Sequence, residues 1–499
     1  MGASAAPIFV DMPHPPLIPV RLGAAAIKRL LALLMLALAA ALARAELPPP
    51  VLQALAAAQI PASSVAVVVQ PVDAPSPLLS HNAGQPMNPA SVMKLLTTYA
   101  ALDLLGPAHT WPTTAWVEAP PVDGVLAGNL YLKGSGDPRF AIEHLWALLR
   151  QLRVRGIERI AGDIVLDGSA FAPLDFDPAA FDNKPMRPYN VGPSALLINF
   201  QALRFTLQPA DGQARVLLET PSEGLTVDNR LRLVAGPCGS DWKDRIALRL
   251  QPGPDGQRLE IAGSYAALCG ERGLNLAPLP PAVQAEGLIR ALWRELGGGF
   301  AGRVRDGRLP LTATPLARHE SAPLAEVIRD INKFSNNVMA RQLFLSLGHD
   351  GHDDAPPASA ERAGQRLNDW LSRRQLHFPE LVVDNGAGLS RRERISAANL
   401  NRLLLDAWAS PLMPEFVASL PLAGIDGTMK KRLNGGAPAG RAHIKTGTLD
   451  GVKTAAGYAL DGDGRRYALT IFINDPRAGA GNAAIDALLT WVAERRRQP

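Results

Sequence analysis

The chain has 499 residues, 47% of them hydrophobic and 19% charged, with a formal net charge of +5. That leaves room for about three domains and enough apolar material for packed cores, which excludes disorder on a large scale. The positive charge is mild and spread along the chain, with no cluster of basic and aromatic residues, so no nucleic-acid partner is expected.

Arg21, Lys28 and Arg29 precede an apolar run from Leu30 to Ala43, and Ala43-Arg44-Ala45 supplies a small-x-small cleavage pattern. Residues 1–45 therefore read as an export signal, and the mature protein is expected in the periplasm or another extracytoplasmic space. The run falls short of the about 20 residues that span a bilayer; a retained anchor is the alternative. No later segment has the length and apolarity of a transmembrane helix. In an exported protein the two cysteines, Cys238 and Cys269, are expected to pair. Such a bridge contributes about 3–4 kcal/mol on a chain-entropy view.

Pro48-Pro49-Pro50 reads as a linker. Residues 64–70 (SVAVVVQ) form a strand, and 78–81 are its candidate hairpin partner. Next comes Pro89-Ala90-Ser91-Val92-Met93-Lys94, followed by apolar residues at helical spacing from Leu95 to Leu105. Ser91 and Lys94 would share one face of a helix that opens at Ser91 and ends near Gly106. Free backbone N–H groups at a helix start favour negative charge there. Alone, Ser91 reads as an N-cap; a second Ser-x-x-Lys occurs at Ser240 to Lys243.

From Trp111 to about Ala282 short alternating segments separated by turn residues predict one or two β-rich modules, interrupted by a helix over 142–155. Helical spacing returns at 281–296 and again at Leu324, Val327, Ile328 and Ile331, leading into Lys333-Phe334-Ser335-Asn336-Asn337. A helix over 397–408, strands over 442–448, 452–460 and 467–473, and a closing helix over 483–496 complete the chain. Asp461-Gly462-Asp463-Gly464 reads as a hairpin turn rather than a calcium loop. The fold class is thus α/β in the broad sense (α+β): helices flank an antiparallel sheet, and a long β-rich insertion interrupts them.

Three elements occur in a telling order: Ser91-x-x-Lys94 opening a helix, Ser335-x-Asn337 between helices, and Lys445-Thr446-Gly447 on a strand that a hairpin follows. Together they suit acyl transfer. Ser91 needs a base, and Lys94 can be one only when neutral, a state favoured by burial and by a second cation, Lys445. Ser335 can relay the proton to a leaving nitrogen, and Asn337 can hold the substrate backbone. Lys445 and Thr446 suit a terminal carboxylate, and Gly447 lets the strand approach a ligand. The backbone N–H groups of Ser91 and Thr448 would form an oxyanion hole.

The set resembles class C low-molecular-mass penicillin-binding proteins, a family of D-alanyl-D-alanine carboxypeptidases and endopeptidases. Residues 420–427 (LPLAGIDG) and 384–391 (DNGAGLSR) extend the resemblance, and 162–167 (GDIVLD) does so more loosely. It implies a transpeptidase or β-lactamase-like catalytic domain split over 46–110 and 283–499, with residues 111–282 inserted. It also implies peptidoglycan stem peptides as substrate, acylation of Ser91, and β-lactams as inhibitors. Asp167 would then face a substrate amine, or be a plain hairpin aspartate.

A serine β-lactamase and a non-catalytic wall-binding scaffold are the alternatives; the long insertion argues against the first and the full set of reacting groups against the second. No cofactor or metal is expected. His349-Asp350-Gly351-His352-Asp353-Asp354 reads as a solvated loop. Arg495-Arg496-Arg497 reads as a solvated helix end, with peripheral contact to membrane or wall polymer as the alternative. No Gly-x-Ser-x-Gly and no His-Glu-x-x-His occurs.

Overall fold

The computed structural model describes residues 46–349 and 356–496. Residues 1–45, read from the sequence as an export signal, and most of the His349 to Asp354 segment lie outside the described residues, as does Arg497. Among the described residues no helix is long and apolar enough to cross a membrane.

Five antiparallel strands make the central sheet, in the order Ala442–Leu449, Val452–Leu460, Arg466–Asn474, Val65–Pro71, Leu79–His81. The first strand of the chain is buried at six of its seven positions. Its unbroken apolar run follows from that: both faces of the sheet are covered, so no polar alternation is needed. Helix Ala397–Ala409 packs against this strand, and helix Asn482–Glu494 packs on the sheet beside Pro49–Ala57. The triple proline is therefore a helix start rather than a linker. Proline tolerates the first helical turn, and Val51 and Leu55 bury the inward face. At the 461–464 hairpin, Asp461 Oδ1 accepts from the backbone N–H groups of Asp463 (3.0 Å) and Arg465 (2.8 Å).

The helical part gathers Lys94–Leu105, Leu324–Phe334, Asn337–Ser346, Ala360–Arg373, Ala397–Ala409 and Met413–Ala418 around Tyr99, Trp370 and Phe416. Tyr99 meets Trp370 edge-on at 5.4 Å, and its hydroxyl donates to Asp406 at 2.6 Å.

The insertion opens with strand Pro112–Val117 in a mixed five-stranded sheet. Thr314–Glu320 returns antiparallel to that strand, and Val304–Asp306 runs parallel to Ile164–Asp167. Helices Ile142–Val154 and Pro281–Glu295 share the core beneath, through Leu148, Leu149, Leu288 and Leu292. Residues 283–320, which the sequence pattern attaches to the catalytic part, are thus paired and packed with the inserted sheet: the apolar face of the 281–295 helix has its complement there. A second module holds two three-stranded sheets over Leu203–Leu276, closed by the Cys238–Cys269 disulfide.

Candidate active site

Ser91 lies in a 3₁₀ turn, Ala90–Met93, that runs directly into the α-helix Lys94–Leu105. The hydroxyl thus precedes the α-helix by one turn instead of opening it. Ala90 has φ +47°, a conformation that a residue with a side chain holds only when its surroundings impose it. Asn88 is one restraint: its Oδ1 accepts from the Ala90 N–H (2.9 Å), and its Nδ2 donates to Ser390 O (2.8 Å). Two glycines supply the rest. A Cβ on Gly388 would sit 1.9 Å from the Ala90 carbonyl oxygen, and one on Gly447 would sit 2.9 Å from the Ser91 nitrogen. Strand 442–449 therefore passes directly against the turn that carries the serine, which only an absent side chain permits.

Lys94 is fully buried. Its Nζ donates to Ser91 Oγ (3.0 Å), to Asn337 Oδ1 (2.6 Å) and to the Ala387 carbonyl. Burial pushes its pKa well below the usual lysine value; the nearby cations Lys445 and Arg341 push the same way, and Glu393 opposes them. Lys445 is also fully buried, and burial brings it down to about 7. Its Nζ donates to Ser335 Oγ (2.8 Å) and to its own neighbour's carbonyl, Thr446 O (2.7 Å).

Ser335 sits at the left-handed position ending helix Leu324–Phe334, with φ +56°. Asn336 then caps the next helix, accepting from Met339 N (3.1 Å). Two helix ends meeting head to tail are what bring Ser335 and Asn337 toward Lys94 and Lys445. The Asn337 oxygen is engaged by Lys94, leaving its amide nitrogen as the group free to meet a ligand. Thr446 Oγ1 is 2.8 Å from Thr428 Oγ1, and Lys453 donates to Thr448 Oγ1 at 3.0 Å.

The structure thus brings together Ser91, Lys94, Ser335, Asn337 and the strand Lys445-Thr446-Gly447-Thr448 from three separate stretches. A cleft of about 590 Å³ opens beside them, lined by Ser335, Asn337, Thr448, Phe334 and, from the insertion, Phe181 and Tyr189. Asp167 is not among its lining residues. That aspartate is 2% exposed, and its two oxygens accept from Leu309 N and Ser169 N, both at 2.8 Å. Ser240 and Lys243 lie in the β-rich module, Lys243 over the ring of Trp242.

Four contributors carry no sequence signal: Asn88, Glu393, Arg341 and Thr454. Arg341 is 5% exposed, donates to Val191 O (2.8 Å), and is lowered to about 10 by burial. Thr454 donates to Pro89 O at 2.8 Å, behind Gly447.

A buried amine touching a serine hydroxyl, beside a glycine-lined strand edge and a second buried cation, is the equipment of serine acyl transfer. The chain belongs to the D-Ala-D-Ala carboxypeptidase 3 (S13) family, whose pattern matches residues 50–495. It is 30% identical over 437 residues to the D-alanyl-D-alanine carboxypeptidase of Actinomadura sp. (strain R39), covering 84% of this chain and 79% of that one. Its fold is similar to the crystal structure of penicillin binding protein 4 (dacB) from Haemophilus influenzae, with TM-score 0.73 at 24% identity, covering 88% of this chain and 98% of that one. The same protein complexed with a β-lactam gives TM-score 0.69 at 23% identity, covering 90% and 100%.

Proposed function

We propose that this chain is an extracytoplasmic serine DD-peptidase of peptidoglycan, removing terminal D-alanine from stem peptides and opening D-alanyl cross-links to diaminopimelate. The observation that carries the reading is the 3.0 Å contact between the Lys94 amine and Ser91 Oγ, with Lys94 fully buried. An amine held neutral there can take the Ser91 proton as Oγ attacks the scissile carbonyl. The developing oxyanion is received by the backbone N–H groups of Ser91 and Thr448, each such donor supplying about 3–4 kcal/mol.

The proton passes by way of Ser335 to the departing nitrogen, and D-alanine or the cross-linked amine leaves. Water then enters, Lys94 removes its proton, and the ester to Ser91 is hydrolysed. Lys445 and Thr446 hold the terminal carboxylate, and the Asn337 amide nitrogen meets the peptide backbone. A β-lactam, whose strained amide and carboxylate imitate the acyl-D-alanine end, would acylate the same serine.

Ser91→Ala tests this directly. Release of D-alanine and covalent labelling by penicillin should both vanish while murein binding persists, and mass spectrometry of the wild-type adduct should place it on Ser91. An adduct elsewhere would sink the reading. Rapid turnover of the penicillin adduct would favour a β-lactamase, and undiminished D-alanine release by the variant would remove Ser91 from the chemistry.

A further inference from the structure

Glu393 is a fully buried carboxylate that the reaction above does not use. Its Oε1 accepts from three consecutive backbone N–H groups, those of Asp384 (3.3 Å), Asn385 (3.1 Å) and Gly386 (3.2 Å). Its Oε2 has no hydrogen-bond partner among the described residues. Successive N–H groups converging on one oxygen form a concave anion nest, so the carboxylate fixes the path of this turn.

The Gly386 carbonyl accepts from Thr97 Oγ1 (2.7 Å), and the Ala387 carbonyl accepts from the Lys94 amine. Gly388 then abuts the Ala90 carbonyl. Asn385 adds one internal tie, its Oδ1 accepting from Ala387 N at 2.9 Å. One buried side chain therefore organises the stretch that grips Lys94 from behind and presses on the turn carrying Ser91.

We propose that Glu393 is a positioning residue for the reaction: by clamping the 384–387 turn it aims the Ala387 carbonyl at Lys94 and so holds that amine on Ser91 Oγ. This rests on the Ser91–Lys94 reading above. The clamp is set among charges from every side. Lys94 faces it from the serine helix and Arg341 from helix Asn337–Ser346, while Asp384 lies within the turn itself, paired to Arg392. Lys445 acts in turn on Lys94, lowering its pKa. Burial holds the Glu393 carboxyl at about 7, so it exchanges its proton near neutrality; the clamp needs only an acceptor oxygen, which both forms retain.

The test is stopped-flow acylation of the purified protein by a labelled penicillin, resolved into a dissociation constant and a limiting rate constant. Active sites are counted by the stoichiometry of the slow endpoint. Glu393→Ala should lower the limiting rate about 10- to 100-fold, the scale of a misplaced catalytic group, with the dissociation constant unchanged. Glu393→Gln keeps an acceptor oxygen of the same reach and should stay within about threefold of wild type. If the alanine variant does not fold, Glu393→Asp, one methylene shorter, should show the same split at smaller size.

A limiting rate unaltered in Glu393→Ala or Glu393→Asp overturns the proposal. So does a loss confined to the dissociation constant, or a glutamine variant as slow as the alanine one. A wild-type adduct on a residue other than Ser91 would instead bring down the underlying reading.

Discussion

Gly447 lies directly against Thr454: a Cβ added to Gly447 would sit 2.2 Å from Thr454 Oγ1, a hydroxyl already committed to the Pro89 carbonyl. The two residues face each other across the register of neighbouring strands. The same Cβ would come within 2.9 Å of the Ser91 nitrogen, one of the two proposed oxyanion donors. Gly447→Ala should therefore cost about 1–3 kcal/mol of stability through overpacking. It should lower the acylation rate by more than that cost alone implies, because the displaced atoms are Ser91 and its turn. Chemical unfolding beside penicillin acylation kinetics checks both; an alanine variant with wild-type acylation would show that the turn tolerates the shift.

The two buried lysines set opposite limbs of a pH profile. Lys94 must be neutral to act, so kcat/KM rises with pH through its depressed pKa. Lys445, at about 7 in the free protein because of burial, must be charged to receive a carboxylate, so peptide binding weakens above that pH. A bell-shaped kcat/KM is expected, its alkaline limb carried by KM. Lys445→Arg stays charged throughout and should lack that limb whatever its absolute rate.

Stability follows the same group. Its folded pKa lies below the ordinary 10.5, so the unfolded chain binds more protons between about 7 and 10.5. Stability from Lys445 therefore rises with pH through that window and is lost as pH falls toward 7. Lys445→Met should flatten that rise in a series of denaturant midpoints.

The Ser91, Ser335 and Lys445 motifs were legible because acyl transfer demands particular residue types at fixed spacings, and their contexts could be read from periodicity. Asn88, Glu393 and Thr454 were not. Each is a single polar residue whose meaning is a contact 302, 7 or 365 positions away. Helix Ala360–Arg373 shows only a narrow apolar stripe, Ala363, Leu367, Trp370 and Leu371, in an otherwise polar segment. The pairing of strand Thr314–Glu320 with Pro112–Val117 in the five-stranded sheet is not legible either, because no local pattern announces it.

The Cys238–Cys269 bridge closes a span of 31 residues within the β-rich module, where Cys269 is buried among Leu259, Ile261 and Tyr265. Replacing both cysteines by serine should lower stability by about 2–4 kcal/mol. None of the residues around Ser91 belongs to that core. Penicillin acylation of the folded variant should match wild type, and a parallel loss of acylation would show that this module supports the site.

Lys333 is 6% exposed and lies two residues before Ser335; its Nζ meets Asp426 Oδ2 at 2.6 Å. The other carboxylate oxygen accepts from Leu422 N at 2.8 Å, so Asp426 fastens the 420–427 loop to the end of helix Leu324–Phe334. Gly427 is part of the same seam, since a Cβ there would lie 2.5 Å from the Lys333 carbonyl oxygen. Asp426→Asn removes the charge and leaves a buried ammonium without its counter-ion. The cost should be about 1–3 kcal/mol, moderated by the partial exposure of Asp426. Thr428 follows in the chain and holds Thr446, so the carboxylate-binding edge should loosen as well. The expected signature is a lower urea midpoint together with a raised KM for peptides ending in a free carboxylate and a nearly unchanged kcat. A variant that loses stability while keeping its KM would show that the seam serves the fold and not the binding edge.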